Sequence, residues 1–454
     1  GASAGLAGAS MLGVGCRRPE AHIVPFGTEQ AQGQDYVHGV PMYFATAMPA
    51  RTGAIPLIVE SNEGRPTKVE GNPDHPDCNG ATDIFAQASI LNLYDPDRAR
   101  RSTKSGKPMS KADTVKELKN LAAADKKTAF LLPAANSPSR ERLISEITEK
   151  HGENARFYVH EAIDFGVHQR AATATFGQSV RPYWKLDQAS VILSLDCDFI
   201  GTEEESARYI RDFARGRKLA KNNDSMSRLY AMEALMSQTG ANADHRLRAN
   251  ASSIATAVAF IAGKLGINVE GTTGKLTEEQ QKWLGGCVND LQEHKGKGLL
   301  VAGYRQPEAV HQLIHRINDV LENNGKTVVF LPADDAVYGD LSVLRSDLGK
   351  IDRIINLGCN PSYDGGADLK WSDAAKDKTV FRLSDFAQDE SHEKYGIVAP
   401  RAHYLESWGD ARTSDGTVVP IQPLIAPLFD AMSELEVLAI FAKWRGQPEA
   451  PQTA

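Results

Sequence analysis

The chain has 454 residues, 41% hydrophobic and 24% charged, enough to bury more than one core and to divide into two or three domains. A net charge of -7 and a pI near 6.0, with basic residues scattered among acidic ones, give no support to a phosphate-tracking surface, so no nucleic-acid partner is expected. The five cysteines (Cys16, Cys78, Cys197, Cys287, Cys359) never share a short loop, whereas iron-sulfur and structural zinc sites draw several ligands from close neighbours; they suit small buried hydrophobes or an occasional disulfide.

Residues 1–15 (GASAGLAGASMLGVG) are small, apolar and uncharged, and Cys16-Arg17-Arg18-Pro19 follows at once. The pattern is similar to the hydrophobic and cleavage regions of an export signal of twin-arginine type, only partly present, and is too short and glycine-rich for a membrane span. Gly15-Cys16 also resembles the end of a lipoprotein signal, which makes Cys16 a candidate lipid anchor. An uncleaved anchor and an ordered tail packed on a partner are the alternatives. Residues 17–55 lack periodicity and are rich in Gly, Pro and Gln, which suggests an extended arm, so residues 1–50 are grouped as signal-like segment and arm.

Ile55 to Glu60 and Thr67 to Glu70 flank the turn Asn62-Glu63-Gly64-Arg65-Pro66, a β-hairpin signal that opens a segment over 51–105. Pro49 and Pro56 confine the hairpin to edge-like pairing. After a polar stretch around Thr103 to Ser110, apolar strands alternate with helices. Strands are expected at 128–132, 156–159, 190–195 and near 229–233, and helices at 139–151, 205–217 and 252–265. The alternation restarts with strands at 298–302, 327–331, 353–357 and 379–383 and helices at 308–323, 341–348 and 366–375. Parallel pairing through helical crossovers then gives two doubly wound α/β units, 106–295 with a helical connection and 296–440, followed by a polar tail or linker over 441–454.

Arg51 to Pro76 (RTGAIPLIVESNEGRPTKVEGNPDHP) resembles the N-terminal hairpin of the molybdopterin-dependent oxidoreductases. In that hairpin Gly64 and Gly71 permit positive φ, and Pro66 and Pro73 fix φ in the turns. Leu357-Gly358-Cys359-Asn360-Pro361 resembles that family's loop where pterin phosphates meet the strand ends, and His403 to Asp410 with Asp415-Gly416 resembles the closing stretch of its second α/β domain. The likeness covers roughly 42–428 and implies a molybdopterin oxidoreductase-like α/β fold, an N-terminal β-hairpin segment plus two doubly wound α/β units. Within the superfamily, Tyr43 to Pro49, Ala81 to Leu91, Leu93 to Arg98 and Trp408 to Arg412 together resemble the large subunit of bacterial alternative complex III.

That resemblance implies a non-catalytic, molybdoenzyme-like scaffold on the periplasmic face of the inner membrane. It would support electron transfer from menaquinol through iron-sulfur clusters and c-type haems to a periplasmic acceptor. Its partners would be an iron-sulfur half or subunit, a multihaem cytochrome c and quinol-binding integral membrane subunits, which would hold the clusters and haem c. The chain itself would hold no cofactor or metal and no catalytic residue. The cysteine-rich loop that should precede Arg51 is reduced to Cys16, so Gly64, Arg65, Gly71, Asn72, Pro73, Asn360 and Pro361 read as vestigial pterin-type loops. The alternatives are a molybdopterin-dependent catalytic chain acting on a small sulfur or nitrogen compound, and a periplasmic binding module using the cleft between its α/β units.

Other side chains have plainer readings. His160, Asp164 and His168 fall at helical spacing, as do His311 and His315, but neither set completes a metal site. Lone His75 and His403 suit surface or packing roles. Glu203-Glu204-Glu205 and Asp334-Asp335 read as solvated charge or helix N-terminal acids, and Tyr183-Trp184 as core.

Overall fold

Alternating burial organises the N-terminal part of the chain. In a computed structural model, which describes residues 39–219, 225–269, 274–333, 338–391 and 394–442, strands Ala54–Asn62 and Arg65–Gly71 pair antiparallel, with Leu57, Val59 and Val69 facing the core. Glu63 (φ 51°) and Gly64 (φ 77°) give the turn the two positive φ values that match hairpin twist. Cys16, the signal-like segment and the tail from 443 lie outside the described residues.

The arm is more regular than its composition suggests, because Met42–Pro49 forms a strand along the far side of Ala54–Asn62. Pro56 therefore sits in the central strand, not at an edge. Its missing N–H falls opposite Asn72, just past the end of the third strand; the Asn72 carbonyl instead accepts from the N–H of Gly80 (2.9 Å) and closes the loop over 73–80. Helix Ile84–Leu93, capped by Asp83, then covers the sheet through Ala86 and Leu93.

Most expected strands and helices form, and they assemble into two sheets, one all parallel and one parallel except for an antiparallel edge hairpin, whose pairing crosses the boundary expected at 295. The larger sheet has seven strands in the order Lys107–Met109, Ser102–Lys104, Ile397–Pro400, Thr379–Ser384, Arg353–Asn356, Thr128–Leu132, Ala155–Val159. Helices Lys111–Ala123, Pro138–His151 and Glu434–Ala442 pack on one face, and Leu341–Asp347 and Trp371–Ala375 on the other. The smaller sheet runs His245–Arg248, Arg228–Glu233, Val191–Leu195, Gly298–Ala302, all parallel. Helices Ser253–Lys264, Glu278–Glu293 and Glu308–Val320 share its main core.

The smaller unit is thus inserted between the halves of the larger one. Helices expected to bridge two consecutive units instead cover a single sheet. Val328–Pro332 joins neither sheet but pairs antiparallel with Val180–Trp184, a strand whose apolar run is broken by Arg181 and Pro182. The polar stretch at 103–110 is an edge hairpin of the larger sheet, and the helix expected at 366–375 divides at Lys370, in the left-handed region, into a single turn Ala367–Leu369 and the short helix Trp371–Ala375. Among the described residues, no helix is long and apolar enough to cross a membrane.

Candidate functional site

Both sheets turn the carboxyl ends of their parallel strands toward one cleft of about 1570 Å³. Pro133 to Ala135 follow strand Thr128–Leu132, Glu161 follows Ala155–Val159, and Arg401 to His403 follow Ile397–Pro400; Ile200 to Glu204 and Tyr304 come from the smaller sheet. Pro49 to Arg51 and helix Ile84–Leu93 supply a further wall. Open α/β sheets place ligand sites outside strand carboxyl ends, so this is the candidate functional site.

The lining is charged and three of its guanidiniums face lining carboxylates, although the buried Arg140 Nε and Nη1 and Glu434 Oε1 make no hydrogen bond within the described residues. Arg51 Nε lies 2.8 Å from Glu161, Arg140 Nε 3.2 Å from Glu434, and Arg401 Nη1 3.5 Å from Asp385. Asp410 accepts from the backbone N–H and the hydroxyl of Ser139 and from the Ser137 hydroxyl, a carboxylate set on the N-terminus of helix Pro138–His151. Burial, helped by the Arg98 charge, lowers His403 to about 4, and its Nδ1 accepts the Leu405 N–H, so the ring is neutral at pH 7.

Glu203-Glu204-Glu205 is not a solvated loop run. Glu203, 4% exposed, accepts from the Tyr304 N–H (3.1 Å) and lies 3.1 Å from His168 Nε2; Glu204 accepts from the Thr52 N–H; Glu205 pairs with Arg208. Of the three, Glu204 ties the inserted unit to the hairpin segment through Thr52. His168 reaches this network because 160–166 is irregular, with the Asp164 carboxylate accepting the Gly166 N–H; His160 turns away to Asp364 at 2.8 Å. His168 meets His311 edge-on at 4.8 Å, bringing together members of two sets that helical spacing kept apart. Trp184 is core, stacked on Tyr209 at 5.0 Å.

The residues read as pterin-type loops do not converge on the cleft. Gly64 and Arg65 form the exposed hairpin turn. Gly71 does not need positive φ; a Cβ there would lie 2.4 Å from the Ala81 carbonyl oxygen, so the glycine permits close backbone approach. Asn72 and Pro73 belong to the loop closed by Gly80, with Asn72 Oδ1 accepting the Asp74 N–H. Asn360 donates to Glu390 and accepts from Ser391, and Pro361 starts a short helix. None of the seven lines the cleft.

The same loop leads into Asp77, which is buried against Ser414 and Arg208. Burial and the Glu205 charge push its carboxyl up to about 6, against the Ser414 hydrogen bond and Arg208. An acid harder to ionise in the folded chain favours folding while protonated; that stability is present below 3.8 and is lost as pH rises through about 6. Urea midpoints should show the natural chain losing about 3 kcal/mol relative to Asp77→Asn between roughly pH 4 and 7. Equal pH dependence of the two proteins would refute the assignment.

A metal-pterin group, which this kind of fold implies, finds a poor donor set here. The four described cysteines are buried and none lines the cleft; Cys359 is pushed up by burial and lies 3.8 Å from the His160 carbonyl. The cleft lining carries eight carboxylates against four guanidiniums, an unfavourable field for pyrophosphate. Among the described residues no cluster of His, Cys, Asp and Glu could hold a metal ion.

The architecture defines a class: the chain has a molybdopterin-type α/β enzyme fold. In particular, it is similar to acetylene hydratase from Pelobacter acetylenicus, with a TM-score of 0.63 and 9% identity over 88% of this chain and 69% of that one. The formyltransferase/hydrolase complex from Methylorubrum extorquens matches at a TM-score of 0.49 and 13% identity, over 75% of this chain and 98% of that one. No protein-family model and no curated protein sequence matches.

Proposed function

We propose that this chain is a non-catalytic scaffold with a molybdoenzyme-like fold, part of the large subunit of alternative complex III. In that role it fixes the positions of iron-sulfur and haem-bearing partners that carry electrons from menaquinol to a periplasmic acceptor. The observation that carries the non-catalytic half of the reading is the donor set of the cleft: eight carboxylates against four guanidiniums, and no thiolate among the described lining residues. The placement in a quinol-oxidising complex rests on the sequence resemblance over 43–49, 81–91, 93–98 and 408–412.

Elemental analysis of the purified assembly containing this chain, with fluorescence of oxidised pterin, tests the reading. Molybdenum, tungsten and pterin are expected to be absent while iron and haem are present. Stoichiometric molybdenum or tungsten with pterin would overturn it, and an assembly without haem or iron would remove the electron-transfer role.

A further inference from the structure

Helix Ile84–Leu93 (IFAQASILNL) contains no charged residue, yet Ile84 and Phe85 are each 74% exposed and Leu91 is 70% exposed. Their spacing puts them on one face with Ala88 and Asn92, and all five line the cleft. Trp408, 63% exposed, lines the same space. An uncharged helix ordinarily buries its large apolar residues; a cluster left facing solvent marks a surface that receives a partner.

Charge identifies the partner. Arg51, Arg140 and Arg401 each face a carboxylate of the lining, and the fourth lining guanidinium, Arg98, is engaged by Glu406. Asp83, Asp95, Glu204 and Asp410 meet neutral N–H or hydroxyl donors instead, so the cleft keeps an excess of negative charge beside its apolar wall. A ligand that satisfies both features is cationic on one side and apolar on the other.

We propose that this cleft is a docking groove for a cationic amphipathic segment of a partner protein. Its apolar side chains seat against Ile84, Phe85, Leu91 and Trp408, and its lysines or arginines face the surplus carboxylates. The inference rests on the scaffold reading only in taking the cleft to receive protein.

The test uses the full chain and two helical peptides, one of leucine and lysine with segregated faces, the other with glutamate for lysine. Labelled-peptide anisotropy measures affinity, and acrylamide quenching, taken as the difference between the natural chain and Trp408→Phe, reports location, since that difference isolates Trp408 from the other four tryptophans. The lysine peptide should bind about tenfold or more tightly than the glutamate peptide, shield Trp408, and lose about tenfold in affinity on Ile84→Ser/Phe85→Ser/Leu91→Ser. The exposure of those side chains should leave the melting profile of the triple variant unchanged, which keeps the comparison valid. Equal affinity for both peptides, unchanged affinity in the triple variant, or no shielding of Trp408 would overturn the proposal. So would a natural chain that sediments as a dimer which the triple variant splits, because the occupant would then be a second copy. Lysine-peptide binding by an assembly rich in molybdenum would support the groove and sink the scaffold reading alone; no peptide binding in a molybdenum-free assembly would sink the groove alone.

Discussion

Arg208→Ala should lower the unfolding free energy by about 3–5 kcal/mol, because it strands buried carboxylates without their cation. The guanidinium lies between the rings of Tyr183 and Tyr209, at 3.9 and 4.6 Å from their centroids, and donates to the Trp184 carbonyl (2.8 Å) and the Ser414 hydroxyl (3.0 Å). It also pairs with Glu205, with Asp212 at 3.3 Å and with Asp77 at 3.7 Å. One side chain thus joins helix Ser206–Arg217 to the hairpin segment and to the stretch after Gly409–Arg412. Arg208→Lys should recover only part of the loss, since an ammonium can neither stack between two rings nor reach all these acceptors. Full stability of the lysine variant in urea would show that charge alone suffices.

Glu406→Ala should produce a loss of similar size. Glu406 is 3% exposed and receives both Nη atoms of Arg98, at 3.1 and 2.6 Å, together with the backbone N–H groups of His403 (2.9 Å) and Leu428 (3.0 Å). Burial pushes its carboxyl up, but these donors more than offset that and hold it below the usual carboxylate range. A depressed acid contributes stability above its unfolded value, lost as pH falls through the folded one; the difference between natural chain and variant should therefore shrink in acid. Removing one partner of a buried pair costs about 3–5 kcal/mol, whereas Arg98→Met/Glu406→Leu should restore most of it. A double variant no more stable than Glu406→Ala would show that the backbone hydrogen bonds, not the pair, hold this corner.

Much of the secondary structure was legible because each element carries its own period. Thr128–Leu132 and Gly298–Ala302 read as buried strands and are buried throughout. What periodicity cannot encode is which strand lies beside which; nothing local in Arg353–Asn356 says that its neighbour is Thr128–Leu132 and not Gly298–Ala302. Strand Val180–Trp184 was hidden by Arg181 and Pro182, whose roles are set by distant groups: Arg181 donates to the Thr413 carbonyl at 2.6 Å. The site was less legible than the fold. Residues with motif character, Asn72 and Asn360 among them, stabilise turns, whereas Arg140 and Glu434 carry no motif and meet only because the N-termini of two helices converge.

The insertion also dictates how the chain must assemble. Thr128 is the Cα partner of Arg353, yet the whole smaller unit lies between them in sequence. During synthesis the edge of Thr128–Leu132 waits with open hydrogen-bonding groups until that unit has emerged. A loop of such length is costly to close as a flexible coil and folding slows as contacts become less local, but a unit that folds first shortens the loop to the gap between its own ends. The strand pair Val180–Trp184 and Val328–Pro332 sits at that gap, holding entry and exit side by side. It acts as a clasp that converts a long-range pairing into a nearly local one.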